Sequence, residues 1–293
     1  MVALHRGFVF LISILLAAPL CAGCTAPGDS GAYRVAENGT LTITAPSPDF
    51  SATVIEAHDG VSLSRVVFEN PGGRVYALLA APDTPSAAIV YAPGAGMGAE
   101  AHHDRAFRYA TKGIAFMVVD IRGHGGETSG YSMNLERDYG FFEKGRWPQY
   151  YRIVQDLMIA RAMLGDRYGV PVYAAGSSDG GRYAAIAAAT DEDFAGYFGV
   201  STSGFSRAGE QYTGALRTFL LSIDPECTIG AISPRPVRIF HAPLDRVIAY
   251  DQGMALFNRA REPKDFIAFN GTHGICDEVD DRVIADVLTF KAP

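Results

Sequence analysis

Apolar residues along the chain fall into two patterns, short unbroken runs and longer segments in which they recur every three or four positions. An unbroken run predicts a strand that is buried on both faces. Runs of this kind occupy 88–92, 114–119, 172–175, 197–201, 237–241 and 266–269. Alternation over 61–68 and 74–81 predicts instead an antiparallel pair, joined by turn residues at 70–73.

Segments with helical spacing lie between several of these strands. They occupy 100–112, 149–167, 182–190 and 247–261. Because strands alternate with helices, we expect an α/β fold with a mainly parallel, eight-stranded sheet and helices on both faces. The pattern starts near residue 52 and contains no internal repeat, so we expect 52–293 to form one domain.

The first residues form a separate segment. Arg6 precedes a predominantly apolar stretch over 7–20 without charged residues, which suits the core of a signal peptide and is short for a membrane-spanning helix. The small residues before Cys24 resemble the lipobox of secreted lipoproteins. This resemblance implies that residues 1–23 are a removed signal peptide and that Cys24 carries a lipid. The body of the protein would then lie outside the cytoplasm, anchored to the cell membrane; an uncleaved N-terminal anchor is the alternative.

A flexible tether is expected between the lipid and the domain. Residues 25–50 are rich in Thr, Ser, Gly and Pro, with little apolar periodicity before Leu41. We therefore expect 24–51 to hold the folded domain off the membrane surface.

Composition narrows the possible functions. Hydrophobic residues make up 48% of the chain and charged residues 19%, which excludes a mainly disordered protein. The formal net charge is −7 and no basic run occurs, so we expect no nucleic-acid partner. No group of His, Cys, Asp or Glu has zinc or calcium spacing, and no glycine-rich stretch matches a phosphate or dinucleotide loop. We expect neither a metal nor a cofactor.

Two cysteines remain once the N-terminal segment is set aside. Cys227 and Cys276 form an even pair in a protein expected outside the cytoplasm, which favours a disulfide. Such a bond would stabilise the fold by about 4 kcal/mol in the chain-entropy model. Two buried thiols that never meet are the alternative.

The candidate nucleophile lies in the sequence Gly-Ser-Ser-Asp-Gly, in which Ser178 is the central residue. This is a G-x-S-x-G pattern that follows a predicted strand and opens a predicted helix. A serine on so sharp a turn has strained dihedral angles, and side chains at Gly176 and Gly180 would collide with the adjoining strand and helix. The serine hydroxyl then lies at a helix N-terminus, whose partial positive charge favours a developing oxyanion.

A serine nucleophile needs a base, and the base needs an orienting acid. Asp245 comes just after the predicted strand at 237–241, and His273 comes just after the next one. Both positions are loops that follow strands, where the active sites of open α/β sheets lie. His241 is a rival base and Asp120 a rival acid, but His273 and Asp245 have the better spacing and order.

The order Ser178, Asp245, His273 is that of the α/β-hydrolases, and the chain resembles this superfamily over about 60–293. Residues 120–125, Asp-Ile-Arg-Gly-His-Gly, resemble a motif that follows the fourth strand in many members. The nearest branches are the dienelactone hydrolases, acetylxylan esterases and prolyl-oligopeptidase-like enzymes. The resemblance implies that Ser178 is the nucleophile, His273 the general base and Asp245 the orienting acid. Dienelactone hydrolases themselves use cysteine as nucleophile.

An oxyanion hole is expected next to the serine. In this fold it combines the backbone N–H of the residue after the nucleophile, here Asp179, with one from the loop after the third strand. That loop spans 92–98, and by position the second donor is the N–H of Ala95.

Two long segments flank the predicted site. Residues 131–151 are rich in aromatic side chains, and 203–235 lie where lids commonly insert. Either these segments wall an apolar substrate pocket or they pack as ordinary surface loops, and the sequence favours neither. His102 and His103 are adjacent and should point in different directions, and His124 belongs to a turn and is expected to be structural.

These observations predict a membrane-tethered serine hydrolase that cleaves carboxylic esters through an acyl-enzyme, with a small-molecule ester as substrate. A peptidase or amidase of the same fold is the first alternative. A binding lipoprotein on an inactive hydrolase scaffold is the second.

Overall fold

The structure, a computed structural model, describes residues 33–46 and 49–290. Within these ranges the chain forms eleven strands and eight α-helices. The strands are β1 (Tyr33–Val35), β2 (Leu41–Ile43), β3 (Phe50–His58), β4 (Val61–Asn70), β5 (Gly73–Pro82), β6 (Ala87–Ala92), β7 (Ile114–Val119), β8 (Val172–Ser177), β9 (Phe194–Val200), β10 (Val237–His241) and β11 (Lys264–Ala268). The helices are α1 (His103–Ala110), α2 (Leu135–Phe142), α3 (Gln149–Tyr168), α4 (Asp179–Thr190), α5 (Gly214–Ser222), α6 (Pro225–Thr228), α7 (Tyr250–Arg259) and α8 (Asp277–Thr289).

The central sheet has nine strands in the described part of the chain, in the order β11-β10-β9-β8-β6-β7-β5-β4-β3. Strands β6 to β11 are parallel, whereas β3, β4 and β5 are joined in antiparallel fashion at one edge. The predicted α/β fold with a mainly parallel sheet is therefore confirmed. The predicted strands matched β4 to β11 to within about three residues at each end, as expected when boundaries are set by tertiary contacts.

Successive residues of a strand point to opposite faces of the sheet, and here both faces are covered. The core therefore has two parts, one on each face. One apolar cluster joins the sheet to α3, α4 and α5, and a second joins its other face to α1 and α8. Strands β6, β7 and β8 are buried at every position, which explains their unbroken apolar sequences. The expected helices on both faces are present.

Strand β3 was not predicted, and it makes the sheet one strand wider than expected. Each of its nine residues is exposed, and β3 pairs only with β4, at the edge of the described sheet. A strand without a buried face carries no apolar pattern that a sequence could reveal. Helix α8 was also missed, although Val279, Val283 and Val287 recur along its buried face.

The prediction that 24–51 form a flexible tether is wrong for 33–46. Strands β1 and β2 form a two-stranded ribbon, and Leu41 and Ile43 are buried in the core. The Tyr33 ring packs edge-on against Trp147 and Tyr151, with centroids 5.1 and 4.9 Å away. Burial of these apolar groups fixes the segment to the domain. The signal peptide and Cys24 lie outside the described residues.

The predicted disulfide is also wrong, because Cys227 and Cys276 are free thiols in the described structure. Cys227 lies in α6, between Ile223 and Ile229, which belong to the cluster on one face of the sheet. Cys276 packs against the cluster on the opposite face. The residues around the two cysteines thus belong to clusters on opposite faces of the sheet, and no disulfide joins them.

Candidate active site

Ser178 occupies the sharp turn between β8 and α4. Its φ and ψ angles are 54° and −125°, a strained backbone conformation for a residue with a side chain. The Ser178 N–H donates to the carbonyl of Val200 at the end of β9, which holds the turn against the sheet. The strand, turn and helix predicted around this serine are therefore all present.

The two flanking glycines are required by close backbone contacts. A Cβ on Gly176 would lie 2.5 Å from the carbonyl carbon of Gly180, and one on Gly180 would lie 2.1 Å from the carbonyl oxygen of Ala92. Neither contact is possible for a real side chain. The predicted reason for the glycines, collision with the neighbouring strand and helix, is confirmed.

His273 and Asp245 are in direct contact. The His273 Nδ1 lies 2.9 Å from Asp245 Oδ2 and 3.1 Å from Oδ1. The Asp245 side chain is fully buried, whereas that of His273 is 24% exposed. Burial acts to raise the pKa of Asp245, but the hydrogen bonds from His273 and from the Ile248 and Val247 N–H groups outweigh it and lower that pKa. Asp245 is therefore a carboxylate that faces the imidazole.

All three residues lie at one edge of the sheet. Ser178, Asp245 and His273 follow β8, β10 and β11, and these strands run parallel with β9 between β8 and β10. The carboxyl ends of parallel strands meet at a common edge, where open α/β sheets carry their ligands. The topology thus places Ser178 and His273, which are 95 positions apart in the sequence, at the same edge of the sheet.

The rival base, His241, lies on another side of the same carboxylate. Its Nε2 is 3.0 Å from the carbonyl of Ile248 and 3.5 Å from Asp245 Oδ2. The His241 side chain is fully buried, so it has no access to a substrate. The partly exposed His273 is the better placed of the two.

The rival acid, Asp120, is occupied in another role. Its carboxylate accepts the backbone N–H of Ala99 at 2.5 Å and that of Glu127 at 2.6 Å. These bonds join the loops that follow β6 and β7. Asp120 therefore fixes the backbone near the site rather than orienting a histidine.

The adjacent histidines point in different directions, as expected. His102 is buried and lies beside Arg105, with its Nδ1 2.8 Å from a guanidinium nitrogen. His103 is partly exposed and pairs with Glu56 at 2.9 Å. They cannot share a metal, and among the described residues no group of His, Cys, Asp and Glu could hold one.

The loop predicted to complete the oxyanion hole runs directly against the serine. A Cβ on Gly94 would lie 3.3 Å from Ser178 Cβ, and Gly96 has a φ of 77° that favours glycine. Ala95 lies between them. Asp179 is the first residue of α4, so its N–H belongs to the groups that a helix leaves without an internal partner. The roles of Asp179 and Ala95 stay predictions.

Arg182 fixes one of the two flanking segments to the candidate site, a contact that sequence reasoning missed. It pairs with the Asp179 carboxylate at 2.5 Å and donates to the backbone and side-chain oxygens of Ser203. Its guanidinium also lies over the Phe205 ring. Asp224 also accepts the Phe205 N–H at 3.0 Å, so this part of the segment is held in place by hydrogen bonds.

Several aromatic residues of the two segments pack against each other. Phe142 and Tyr139 of α2 lie 5.4 and 5.8 Å from Phe219 of α5, measured between ring centroids. Phe219 is fully buried. The sequence left open whether these rings line a substrate pocket or pack as ordinary surface loops. Phe142, Tyr139 and Phe219 pack against one another, as in the second interpretation.

Comparison with known proteins decides the family. Residues 83–229, half of the chain, match the family described as "Serine aminopeptidase, S33". The chain belongs to this family of serine hydrolases. No protein of curated function matches the sequence.

Solved structures share its fold at low sequence identity. Acetyl xylan esterase 1 from Thermoanaerobacterium sp. JW/SL YS485 is 16% identical with a TM-score of 0.68, over 82% of this chain and 87% of that chain. The acetyl xylan esterase from Paenibacillus sp. R4 is 15% identical with a TM-score of 0.69, over 83% and 89%. A glucuronoyl esterase from Solibacter usitatus is 11% identical with a TM-score of 0.62, over 86% and 89%. The α/β-hydrolase fold is therefore confirmed.

None of the helices in the described part of the chain is both long enough and apolar enough to span a bilayer.

Proposed function

We propose that the chain hydrolyses carboxylic esters through an acyl-enzyme, with Ser178 as nucleophile, His273 as general base and Asp245 as orienting carboxylate. The observation that carries the proposal is the contact between His273 Nδ1 and the buried Asp245 carboxylate, at the edge where the strained Ser178 also lies. An Nδ1–H that donates to Asp245 leaves Nε2 free to accept a proton. The esterase neighbours support a small-molecule ester as substrate.

Acylation begins when Ser178 Oγ attacks the ester carbonyl carbon and His273 takes the hydroxyl proton. The N–H groups of Asp179 and Ala95 stabilise the negative charge on the carbonyl oxygen. The bond to the alkoxy oxygen then breaks, and that oxygen takes the proton from His273. Water, deprotonated by His273, attacks the acyl carbon, and the acid leaves as Ser178 recovers its proton.

Ser178→Ala tests the assignment. We expect turnover of short esters to fall by roughly 10⁴-fold or more, because the nucleophile acts as a unit with its base. A fluorophosphonate probe should label the wild type and not this variant. Ser177→Ala is the matched control, since the Ser177 hydroxyl is paired with Tyr91 instead, and it should still be labelled. Folded wild-type protein that resists the probe would favour the binding lipoprotein.

Amide hydrolysis is the second candidate, and the family description favours it because it names an aminopeptidase. The same acyl-enzyme chemistry cleaves either bond. An ester and an anilide that carry the same acyl group distinguish ester hydrolysis from amide hydrolysis. A kcat/KM for the anilides equal to or above that for the esters would reverse the order of the two candidates.

We further propose that the enzyme is a lipoprotein, cleaved before Cys24 and held outside the cytoplasm on the membrane. The sequence motif supports this, and labelling with an alkyne fatty acid tests it. Cys24→Ala should abolish the label, whereas Cys227→Ala, a cysteine within the domain, should keep it. Unlabelled wild-type protein that still sediments with membranes would instead indicate an uncleaved anchor.

A further inference from the structure

The first turns of α4 carry a polar cluster beside the candidate nucleophile. Asp179 and Tyr183 are four residues apart and so lie on one face of this helix. Tyr150, near the start of α3, packs on the Tyr183 ring at 4.6 Å between centroids. His124, from the loop after β7, approaches the same ring at 5.8 Å. Tyr150 and His124 thus both pack on Tyr183, which lies one turn along α4 from Asp179.

Two buried polar atoms in this cluster lack partners in the described structure. Tyr150 is 2% exposed, and its hydroxyl makes no hydrogen bond with the described residues. His124 is 5% exposed, and its Nδ1 is likewise without a partner among them. A buried polar atom without a partner is costly and is rarely left so, which indicates that another group binds there.

The surroundings define the chemistry of that group. Tyr150 offers an O–H donor, while the Asp179 carboxylate offers acceptors and an unprotonated ring nitrogen of His124 offers another. Arg182 already neutralises Asp179, so a second cation is not needed. A hydroxyl group satisfies the cluster best, because it accepts and donates at once. An aliphatic chain would leave both atoms unpaired.

Asp179 is the most exposed member of the cluster and the point from which a substrate would reach it. The Asp179 side chain is 19% exposed, whereas Tyr150, Tyr183 and His124 are buried. Asp179 follows Ser178 directly, so a group held there belongs to the part of the substrate nearest the ester carbonyl.

We propose that Tyr150, His124 and Asp179 form a subsite for a substrate hydroxyl group close to the scissile ester. The inference rests on the proposed ester hydrolysis and adds a substrate class to it. The preferred substrates are esters of hydroxy acids or of polyhydroxylated alcohols, and simple aliphatic esters are the poorer ones.

Two pairs of esters test this, each differing only by a hydroxyl in place of a methyl group. Methyl glycolate and methyl propionate probe the acyl side, and 2-hydroxyethyl acetate and propyl acetate probe the alcohol side. For each pair the measured quantity is the ratio of kcat/KM for the hydroxylated ester to that for its methyl counterpart. Comparison between protein variants cancels the intrinsic reactivity of the esters.

Tyr150→Phe should lower this ratio roughly five- to tenfold in one of the two pairs, the loss of a single hydrogen bond to the substrate. The pair that responds identifies the side of the ester that binds the cluster. Tyr151→Phe is the matched control: Tyr151 is equally buried, but its hydroxyl pairs with Ser222, so the ratio should not change.

An unchanged ratio for Tyr150→Phe in both pairs, with ester hydrolysis retained, would overturn the inference and assign the cluster to a structural water. If the wild type hydrolyses none of the four esters and resists the fluorophosphonate probe, the proposed function fails, and the subsite with it. The two failures are therefore distinguishable.

Discussion

Removal of one partner of the buried ion pair between Arg122 and Asp156 should destabilise the protein strongly. Their side chains are 3% and 2% exposed, and the guanidinium contacts both carboxylate oxygens, at 2.7 and 3.1 Å. Asn70 donates to the same carboxylate at 2.6 Å, and Arg122 also donates to the Gly72 carbonyl. The pair therefore joins the end of β4 and the loop after β7 to α3.

Asp156→Asn preserves the shape of the side chain but leaves a buried guanidinium without a counter-charge. Removal of one partner of a buried ion pair costs about 3–5 kcal/mol. We expect the free energy of unfolding, measured by urea denaturation, to fall by that amount. Glu69→Gln is the control, because its pair with Arg74 is largely exposed, at 72% and 65%. That variant should unfold like the wild type.

A double variant separates charge from packing. Arg122→Met with Asp156→Leu removes both charges, so it should be less destabilised than the sum of the two single variants by about 2 kcal/mol or more. The double variant should still be less stable than the wild type, since Asn70 and the Gly72 carbonyl lose their hydrogen-bond partners. Additive losses, or an Asp156→Asn variant as stable as the wild type, would refute the view that the paired charges hold this region together.

Three further results are expected. Gly180→Ala should yield little folded protein, because its Cβ would lie 2.1 Å from the Ala92 carbonyl oxygen, whereas Gly140→Ala has open space and should express normally; circular dichroism of the purified variants checks this. Asp245→Asn should lower ester turnover by roughly 10³- to 10⁴-fold with folding intact, and a smaller loss would leave Asp245 without its orienting role. Burial lowers the pKa of His102 to about 4, with the Arg105 charge adding to the effect. The unfolded chain therefore binds this proton first, and stability should fall as pH drops from about 6.5 to 4, by up to roughly 3 kcal/mol. Denaturation of His102→Asn over this range should show a shallower fall; an equal slope would contradict the assignment.

The elements near the candidate site could be read from the sequence because local physics determines them. Strands buried on both faces need unbroken apolar runs, and the turn at Ser178 needs glycine on either side. Because β8, β10 and β11 run parallel, Ser178, Asp245 and His273, which follow them, lie at the same edge of the sheet. Helix α8 was readable too, since acidic residues fill its first turn and valines recur along it.

The tether and the disulfide show where local reasoning fails. Residues 33–46 carry turn-forming residues and look flexible, yet Leu41 and Ile43 find a place in the core. Cys227 and Cys276 are an even pair of cysteines, but their surroundings lie on opposite faces of the sheet and both are free thiols. Neither outcome is encoded within a few neighbouring residues, since both depend on what the segment meets after folding.

The sequence by itself determined the α/β architecture, the serine turn and the residues that offer a base and an acid, because periodicity and steric limits act over short spans. Only the tertiary structure decided that His273, and not the buried His241, presents a partly exposed ring to the site. It also packed Tyr150 and His124 against Tyr183, on the face of α4 that carries Asp179. Contacts between distant residues follow from how helices and strands pack, which no local pattern specifies.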